Sequence, residues 1–300
     1  MSLDLHGIIP AMVTPFNADE ELNPGALRKL INRLIGDGVH GVFVVGSQGE
    51  YYALDPAEKR RVMEIAVDET AGRVAVFAGT GATTTREAVL LTKLAEDVGV
   101  DAVSVLTPSF ITPNEEEMYQ HYRDIAAATR LPVLLYNSPG RTGVNISVNL
   151  VSRVACIENI VGIKDSSGDL SLTTAYIAGT PPTFKVFAGR DTLVFATMLH
   201  GGAGAVAACG NVAARILVRM YDACRSGDLQ TARSLQQDLV PLRQAFSLGT
   251  FPAVIKEALL MTGLDVGPCR RPVGPLSDDA RGRLLNVLTA LGLVTADNSD

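Results

Sequence analysis

Short apolar, β-branched runs alternate with amphipathic stretches along most of this chain. The runs are GIIPAMV (7–13), GVFVVG (41–46), RVAVFAG (73–79), DAVSVL (101–106), LPVLLY (131–136), NIVGIK (159–164), TFKVFAG (183–189) and GAVAAC (204–209). Several lack the alternation of a half-exposed strand, as strands covered on both faces do in a parallel sheet. Between the first two, Leu27, Leu30, Ile31, Leu34 and Ile35 recur at i, i+3, i+4, i+7 and i+8, which predicts a helix with one buried stripe. Asn23-Pro24 and Asp55-Pro56 mark helix starts, each placing a capping side chain before a proline whose missing N–H costs nothing there. Glu58 and Glu87 follow Asp55 and Thr84 at capping-box spacing.

One strand and one helix per roughly 20–33 residues is the beat of a βα unit. Eight such beats close naturally into a ring, and no G-x-G-x-x-G follows the first strand as a dinucleotide-binding doubly wound sheet would require. The pattern therefore predicts an α/β fold, a (β/α)8 TIM barrel. After about residue 211 the strands stop and only helical spacing continues, in Ala232, Leu235, Leu239 and Leu242, then Ile255, Ala258 and Leu259, then Leu284, Val287, Leu288 and Leu291. LGTF (248–251) and PCRRPVGP (268–275) interrupt it. A barrel carrying the catalytic site over residues 1–225 and a C-terminal helical extension over 226–300 are expected, with TADNSD (295–300) frayed.

Composition narrows the function. With 26 Lys+Arg against 32 Asp+Glu the net charge is −6, without a block of like charge, which disfavours a nucleic-acid or anionic-membrane partner. At 47% hydrophobic and 19% charged the chain can bury a large core, yet no apolar stretch is long enough to span a bilayer. The opening MSLDLHGIIP has an acid where a signal peptide wants a basic region, so a cytoplasmic location is expected. Cys156, Cys209, Cys224 and Cys269 are dispersed and should be reduced and mostly buried, and the four histidines show no metal-binding spacing, so no metal is expected.

In such a barrel the chemistry sits at the C-terminal ends of the strands. Lys164 ends the sixth run directly after Ile160-Val161-Gly162-Ile163, which places its stem inside the mouth. Burial disfavours the charged form of a lysine, and a neutral amine attacks a ketone or aldehyde to form a Schiff base. An ion pair with the neighbouring Asp165 is the plainer alternative. Tyr136 ends the adjacent run, where a phenol can move the protons that imine formation requires. Gly46-Ser47-Gln48-Gly49-Glu50 offers successive backbone N–H groups and a hydroxyl, a turn suited to a carboxylate. Arg141, after a Pro-Gly turn, can hold a second carboxylate by a bidentate fork. The small residues from Ala203 to Gly210 also permit a phosphate cradle, though no lysine lies near them.

Taken in order, G-[ST]-x-G-E, Y-N-x-P-x-R-T-G and G-I-K make the sequence resemble the dihydrodipicolinate synthase / N-acetylneuraminate lyase family, the pyruvate-dependent class I aldolases, from Gly7 into the helical C-terminal region. The resemblance implies a lysine–pyruvate imine without metal or organic cofactor. It also implies a homo-oligomer, a dimer or a tetramer built as a dimer of dimers. Lys164 then matches the Schiff-base lysine, Tyr136 the proton-shuttling tyrosine and Ser47 the next hydroxyl in the relay. The backbone of Ser47 and Gln48, in the turn that includes Gly49, matches the pyruvate carboxylate pocket. Val206 matches a backbone carbonyl facing that pocket, and Arg141 the arginine that engages the acceptor's carboxylate.

Three departures fall on the acceptor side. Gln48 replaces a threonine usual in the synthase, and Phe110 stands where the synthase has a second relay tyrosine reaching across a dimer. Arg190, between Gly189 and Asp191, stands where the synthase tends to have an acid. The expectation is a Schiff-base lyase of pyruvate or a pyruvate-derived 2-oxo acid, its acceptor half rebuilt for a sugar-acid-like substrate. It would act by aldol cleavage, condensation or dehydration, with Gly189, Arg190, Asp191 and Arg141 on the acceptor side. The alternatives are authentic 4-hydroxy-tetrahydrodipicolinate synthase, condensing pyruvate with aspartate semialdehyde, and a barrel that binds a 2-oxo acid without turnover.

Overall fold

The computed structural model describes residues 5–294. The segment TADNSD and the first four residues lie outside them. Each apolar run contains a parallel strand: β1 (Gly7–Pro10), β2 (Gly41–Val44), β3 (Ala75–Gly79), β4 (Ala102–Leu106), β5 (Val133–Asn137), β6 (Ile160–Asp165), β7 (Lys185–Ala188) and β8 (Gly204–Ala207). Their order in the sheet is β1-β8-β7-β6-β5-β4-β3-β2. A parallel bridge between Ala11 and Phe43 brings the two ends together, and the Met12 N–H donates to the Phe43 carbonyl at 2.9 Å. The eight strands form a (β/α)8 TIM barrel.

The strands are apolar on both faces for two different reasons. Ile9, Phe43, Phe77, Leu134, Phe187 and Val206 fill the inside of the ring. Their neighbours Ile8, Val42, Val44, Val76, Leu135 and Val186 belong to a larger core beneath the surrounding helices. Period two thus survives as a switch between two dry compartments.

Those helices are α1 (Pro24–Gly36), α2 (Pro56–Thr70), α3 (Thr85–Val98), α4 (Glu115–Ala127), α5 (Pro139–Thr142), α6 (Val148–Val154), α7 (Leu170–Ala178), α8 (Val194–Leu199) and α9 (Gly210–Ser226). Leu27, Leu30, Ile31 and Leu34 of α1 are buried, and Ile35 is partly buried. Asn23 caps α1 by accepting the Ala26 N–H. Asp55 and Glu58 form the reciprocal capping box. At α3 only half the box forms: Thr84 accepts the Glu87 N–H at 3.2 Å.

Beyond α9, whose last turn holds the expected 225/226 boundary, come α10 (Leu229–Ala245), α11 (Ala253–Met261) and α12 (Asp278–Ala290). The stretch from α10 to α11 folds back on the barrel mouth, and α12 packs on both of these helices. Gln236 of α10 donates to the Asp191 carbonyl at 2.9 Å and accepts the Phe195 N–H at 3.0 Å. Cys209 and Cys269 are buried and Cys224 is half-buried, whereas Cys156 is exposed. No helix of the described residues is long and apolar enough to cross a membrane.

Candidate active site

Tyr136 and Lys164 are directly paired in the β5–β6 ladder. Each lies two residues beyond an inward position, Leu134 and Gly162, so both side chains face into the ring. Lys164 is 4% exposed. Its Nζ stands 4.0 Å from the centre of the Tyr136 ring and 5.0 Å from that of Phe43.

The ion pair of Lys164 with Asp165 does not form. Strand alternation turns Asp165 to the outer face, where its carboxylate accepts the Ser167 N–H and Oγ, the Thr173 hydroxyl and the Asn137 amide at 2.6–3.1 Å. Asn137 also binds Asn145 and Tyr176, and its Oδ1 accepts the Ile146 N–H. Thr142 bonds to Thr107 at 2.8 Å. Half of the Y-N-x-P-x-R-T-G motif is therefore scaffold that fixes the loop bearing Arg141.

The Tyr136 phenol is shifted by opposing effects. Burial pushes it up, but the Lys164 charge and the nearby Ser47, Ser166 and Ser138 hydroxyls outweigh that and bring it down to about 8. Gly189 makes room for one of these hydroxyls, since a Cβ there would lie 2.0 Å from Ser166 Oγ.

After β2 the chain turns sharply. Val45 has φ +56° and Glu50 φ +53°, left-handed values that bracket Gly46–Gly49. Strain of this kind, of order 1–3 kcal/mol per residue, clusters at functional sites. The N–H groups of Gly49, Glu50 and Tyr51 are taken up by Gly46 and Ser47 carbonyls. Those of Ser47 and Gln48 bond to no carbonyl among the described residues, which leaves two adjacent donors. Ser47 Oγ and both polar ends of the Gln48 amide are buried without hydrogen-bonding partners.

These groups meet in a cavity of about 420 Å³, a usual size for a small-molecule site. Ser47, Gln48, Tyr136, Arg141, Lys164, Gly189, Arg190, Asp191 and Val206 all line it. Gly49 and Phe110 do not. Gly49 lies behind the turn, its carbonyl accepting the Thr14 hydroxyl at 2.6 Å. Phe110 is 98% exposed with φ +73° and does not reach the cavity within its own chain. A larger cleft of about 1130 Å³ between the loop after β1 and the C-terminal helices contains neither Lys164 nor Tyr136.

Asp191 lines the cavity with its carboxylate already engaged. It accepts the Cys209 N–H at 2.8 Å and faces Arg243 at 3.4 Å. That carboxylate occupies the donor position a phosphate cradle would need beside α9. Sequence reasoning missed the wall supplied by the extension: Arg243, Phe246, Ser247 and Phe251 line the cavity. The Arg141 guanidinium lies 3.8 Å over the Phe251 ring. Arg243 follows Leu239 and Leu242 as an ordinary polar position of an amphipathic helix, so nothing local in the sequence marks it.

The chain is similar to known proteins over almost its whole length. A profile described as the dihydrodipicolinate synthetase family matches residues 4–291. The 4-hydroxy-tetrahydrodipicolinate synthase of Methanopyrus kandleri is 39% identical over 296 residues, spanning 98% of this chain and 99% of that one. A dihydrodipicolinate synthase from Bacillus anthracis superposes with a TM-score of 0.93 at 39% identity, covering 96% of this chain and 98% of that one. YagE, a prophage protein of E. coli K12 solved in complex with pyruvate, gives a TM-score of 0.93 at 34% identity, covering 96% and 99%. With its barrel intact and a lysine and tyrosine paired at the mouth, this chain belongs to the dihydrodipicolinate synthetase family, as a lyase of the class I aldolase type.

Proposed function

We propose that this enzyme makes or breaks a bond beta to an imine formed between Lys164 and pyruvate, or a pyruvate-derived 2-oxo acid. The Ser47 and Gln48 N–H groups would receive the carboxylate of the 2-oxo acid, because two convergent donors suit its oxygens without adding charge. The Lys164 amine would attack the ketone carbon, and the carbonyl oxygen would leave as water once protonated. Tyr136 would deliver and remove those protons. The iminium then acts as an electron sink for the neighbouring carbon. Loss of a proton from that carbon gives an enamine for condensation, and loss of a carbon substituent gives cleavage.

The buried Gln48 amide, with an unpaired donor and an unpaired acceptor at the cavity wall, carries the choice of second substrate. A buried polar group left without a partner costs roughly 1–3 kcal/mol, so the bound ligand should satisfy it. A hydroxyl both donates and accepts, whereas a carboxylate only accepts. With Arg141, Arg190 and Arg243 lining the same cavity, this favours a hydroxylated acid resembling a sugar acid. Arg141 and the name of the Methanopyrus relative favour a second reading, condensation of pyruvate with aspartate semialdehyde. A homo-oligomer, either a dimer or a dimer of dimers, belongs to the same proposal and would cover the exposed Phe110 and Ile111. Sedimentation of the purified protein tests it.

Borohydride reduction in the presence of pyruvate should leave a covalent adduct on Lys164, and Lys164→Arg should abolish it. An unmodified wild-type protein would overturn the proposal. Aspartate semialdehyde compared with hydroxylated 2-oxo acids, as substrates of the trapped-competent enzyme, separates the two readings.

A further inference from the structure

Tyr136 and Ser47 form a partition. On one side lies the cavity containing Lys164, and on the other a much smaller one also lined by Phe43, Tyr51, Ser104 and Leu106. The smaller cavity has a volume of about 10 Å³. That is about the space one water needs, provided two to four polar groups surround it. Four of the lining residues carry such a group: Ser47 and Ser104 a hydroxyl, Tyr51 and Tyr136 a phenol.

Two of these groups are otherwise unexplained. Ser104 Oγ, like Ser47 Oγ, is buried without a hydrogen-bonding partner. Ser104 lies on an inward position of β4, between Ala102 and Leu106, where packing alone would favour an apolar side chain. Two orphaned hydroxyls on the wall of one small void call for a shared ligand able both to donate and to accept. On the far side, the Tyr51 phenol lies against the Ser109 hydroxyl, and Ser109 is partly exposed.

We propose that the small cavity is a one-water station through which a proton passes between Tyr136 and the surface, with Ser47 and Ser104 holding the water and Tyr51 handing the proton on toward Ser109. The inference rests on the reading of Tyr136 as the proton carrier of the imine chemistry. It gives this chain a route in its own fold where Phe110 can carry no proton. Each oxygen accepts one proton as it gives one up, so the water is regenerated and no co-reactant is consumed. Ser104 and Tyr51 act through Tyr136 and are positioning residues.

The test follows deuterium entry into the methyl group of pyruvate in heavy water by NMR, which needs no second substrate. The rate is divided by the amount of imine trapped by borohydride and measured across pH. Ser104→Ala and Tyr51→Phe should trap imine as the wild type does. Each should exchange about tenfold more slowly, less than the ~10²–10⁴ of a direct acid–base group. The rising limb of the pH profile should move to higher pH, because a water donating to the phenolate favours it. Ser104→Thr, which restores a hydroxyl, should recover most of the rate. A trapped imine with wild-type exchange and pH profile in both variants would overturn the water station alone. No trapped imine in the wild type would overturn the imine reading and this inference with it.

Discussion

Glu50 and Lys256 meet at 2.7 Å with their side chains 0% and 3% exposed, tying the turn that presents Ser47 and Gln48 to helix α11. Glu50 also accepts the Arg270 N–H at 3.0 Å, and Lys256 donates to the Pro268 carbonyl at 2.7 Å. Burial lowers the Lys256 pKa, and the Glu50 carboxylate opposes that shift. The glutamate of the G-[ST]-x-G-E motif is therefore an anchor for the C-terminal extension.

Removing one partner of such a pair strands the other charge in a dry site. Glu50→Gln and Lys256→Met should each lose roughly 3–5 kcal/mol of stability. The double variant Glu50→Leu with Lys256→Met should be distinctly more stable than either single change. Denaturant midpoints with matched slopes check this, and single variants as stable as the wild type would contradict it.

Proton transfer should carry the signature of Tyr136. A phenol lowered to about 8 leaves the fraction of phenolate rising with pH through that value. Steps that need Tyr136 as a base should accelerate up to a plateau above it, and Tyr136→Phe should remove that limb along with ~10²–10⁴ of rate. Lys164 is the largest of the influences lowering this phenol, against the opposing effect of burial. In Lys164→Met the tyrosinate absorbance of Tyr136 should therefore appear at higher pH, read as the difference from the corresponding Tyr136→Phe variant. An unmoved titration would show that the two groups are not coupled.

Arg243 reaches the cavity from α10 and faces Asp191 at 3.4 Å. Hydrogen bonds to charged groups contribute roughly 1.5–3 kcal/mol. Arg243→Ala should therefore raise KM for an acidic second substrate about 10–100-fold. Trapping of pyruvate on Lys164 should change little, because the Ser47 and Gln48 N–H groups lie on another part of the wall. Equal losses in trapping and in KM would place Arg243 in the pyruvate half of the site instead.

The strands, the closure of the ring and the position of Lys164 were legible because each follows from local pattern. Runs such as GVFVV satisfy the inner and outer cores at once, and a lysine at the end of β6 inherits its direction from strand alternation. The fate of neighbouring polar groups was less legible. Alternation sends Asp165 outward once Lys164 points in, but nothing local in the sequence names Thr173 and Asn137 as its partners. Arg243 and Phe251 enter the site only through the return of the extension over the mouth, a contact more than fifty residues distant from any strand-end motif except that of β8. Ser104 reads as a minor flaw in an apolar strand, and only the shared void with Ser47 gives it meaning.

Gln48 offers the sharpest test of substrate choice. Its amide is 3% exposed and unpaired at both ends, so it should gain most from a ligand that gives and takes a hydrogen bond at once. Gln48→Thr removes the amide, substitutes the hydroxyl usual in the synthase and frees space beside Ser47. The variant should lose about 10–100-fold in kcat/KM for a hydroxylated 2-oxo acid, the equivalent of one buried hydrogen-bonding group left unmatched. Its kcat/KM for aspartate semialdehyde should fall less or rise, since that aldehyde carries no hydroxyl for the amide to hold. Both values come from steady-state kinetics with pyruvate saturating where condensation is measured. Parallel losses for the two substrates would mean that Gln48 supports the turn rather than reading the ligand, and the selectivity would then have to reside in Arg190 and Arg243.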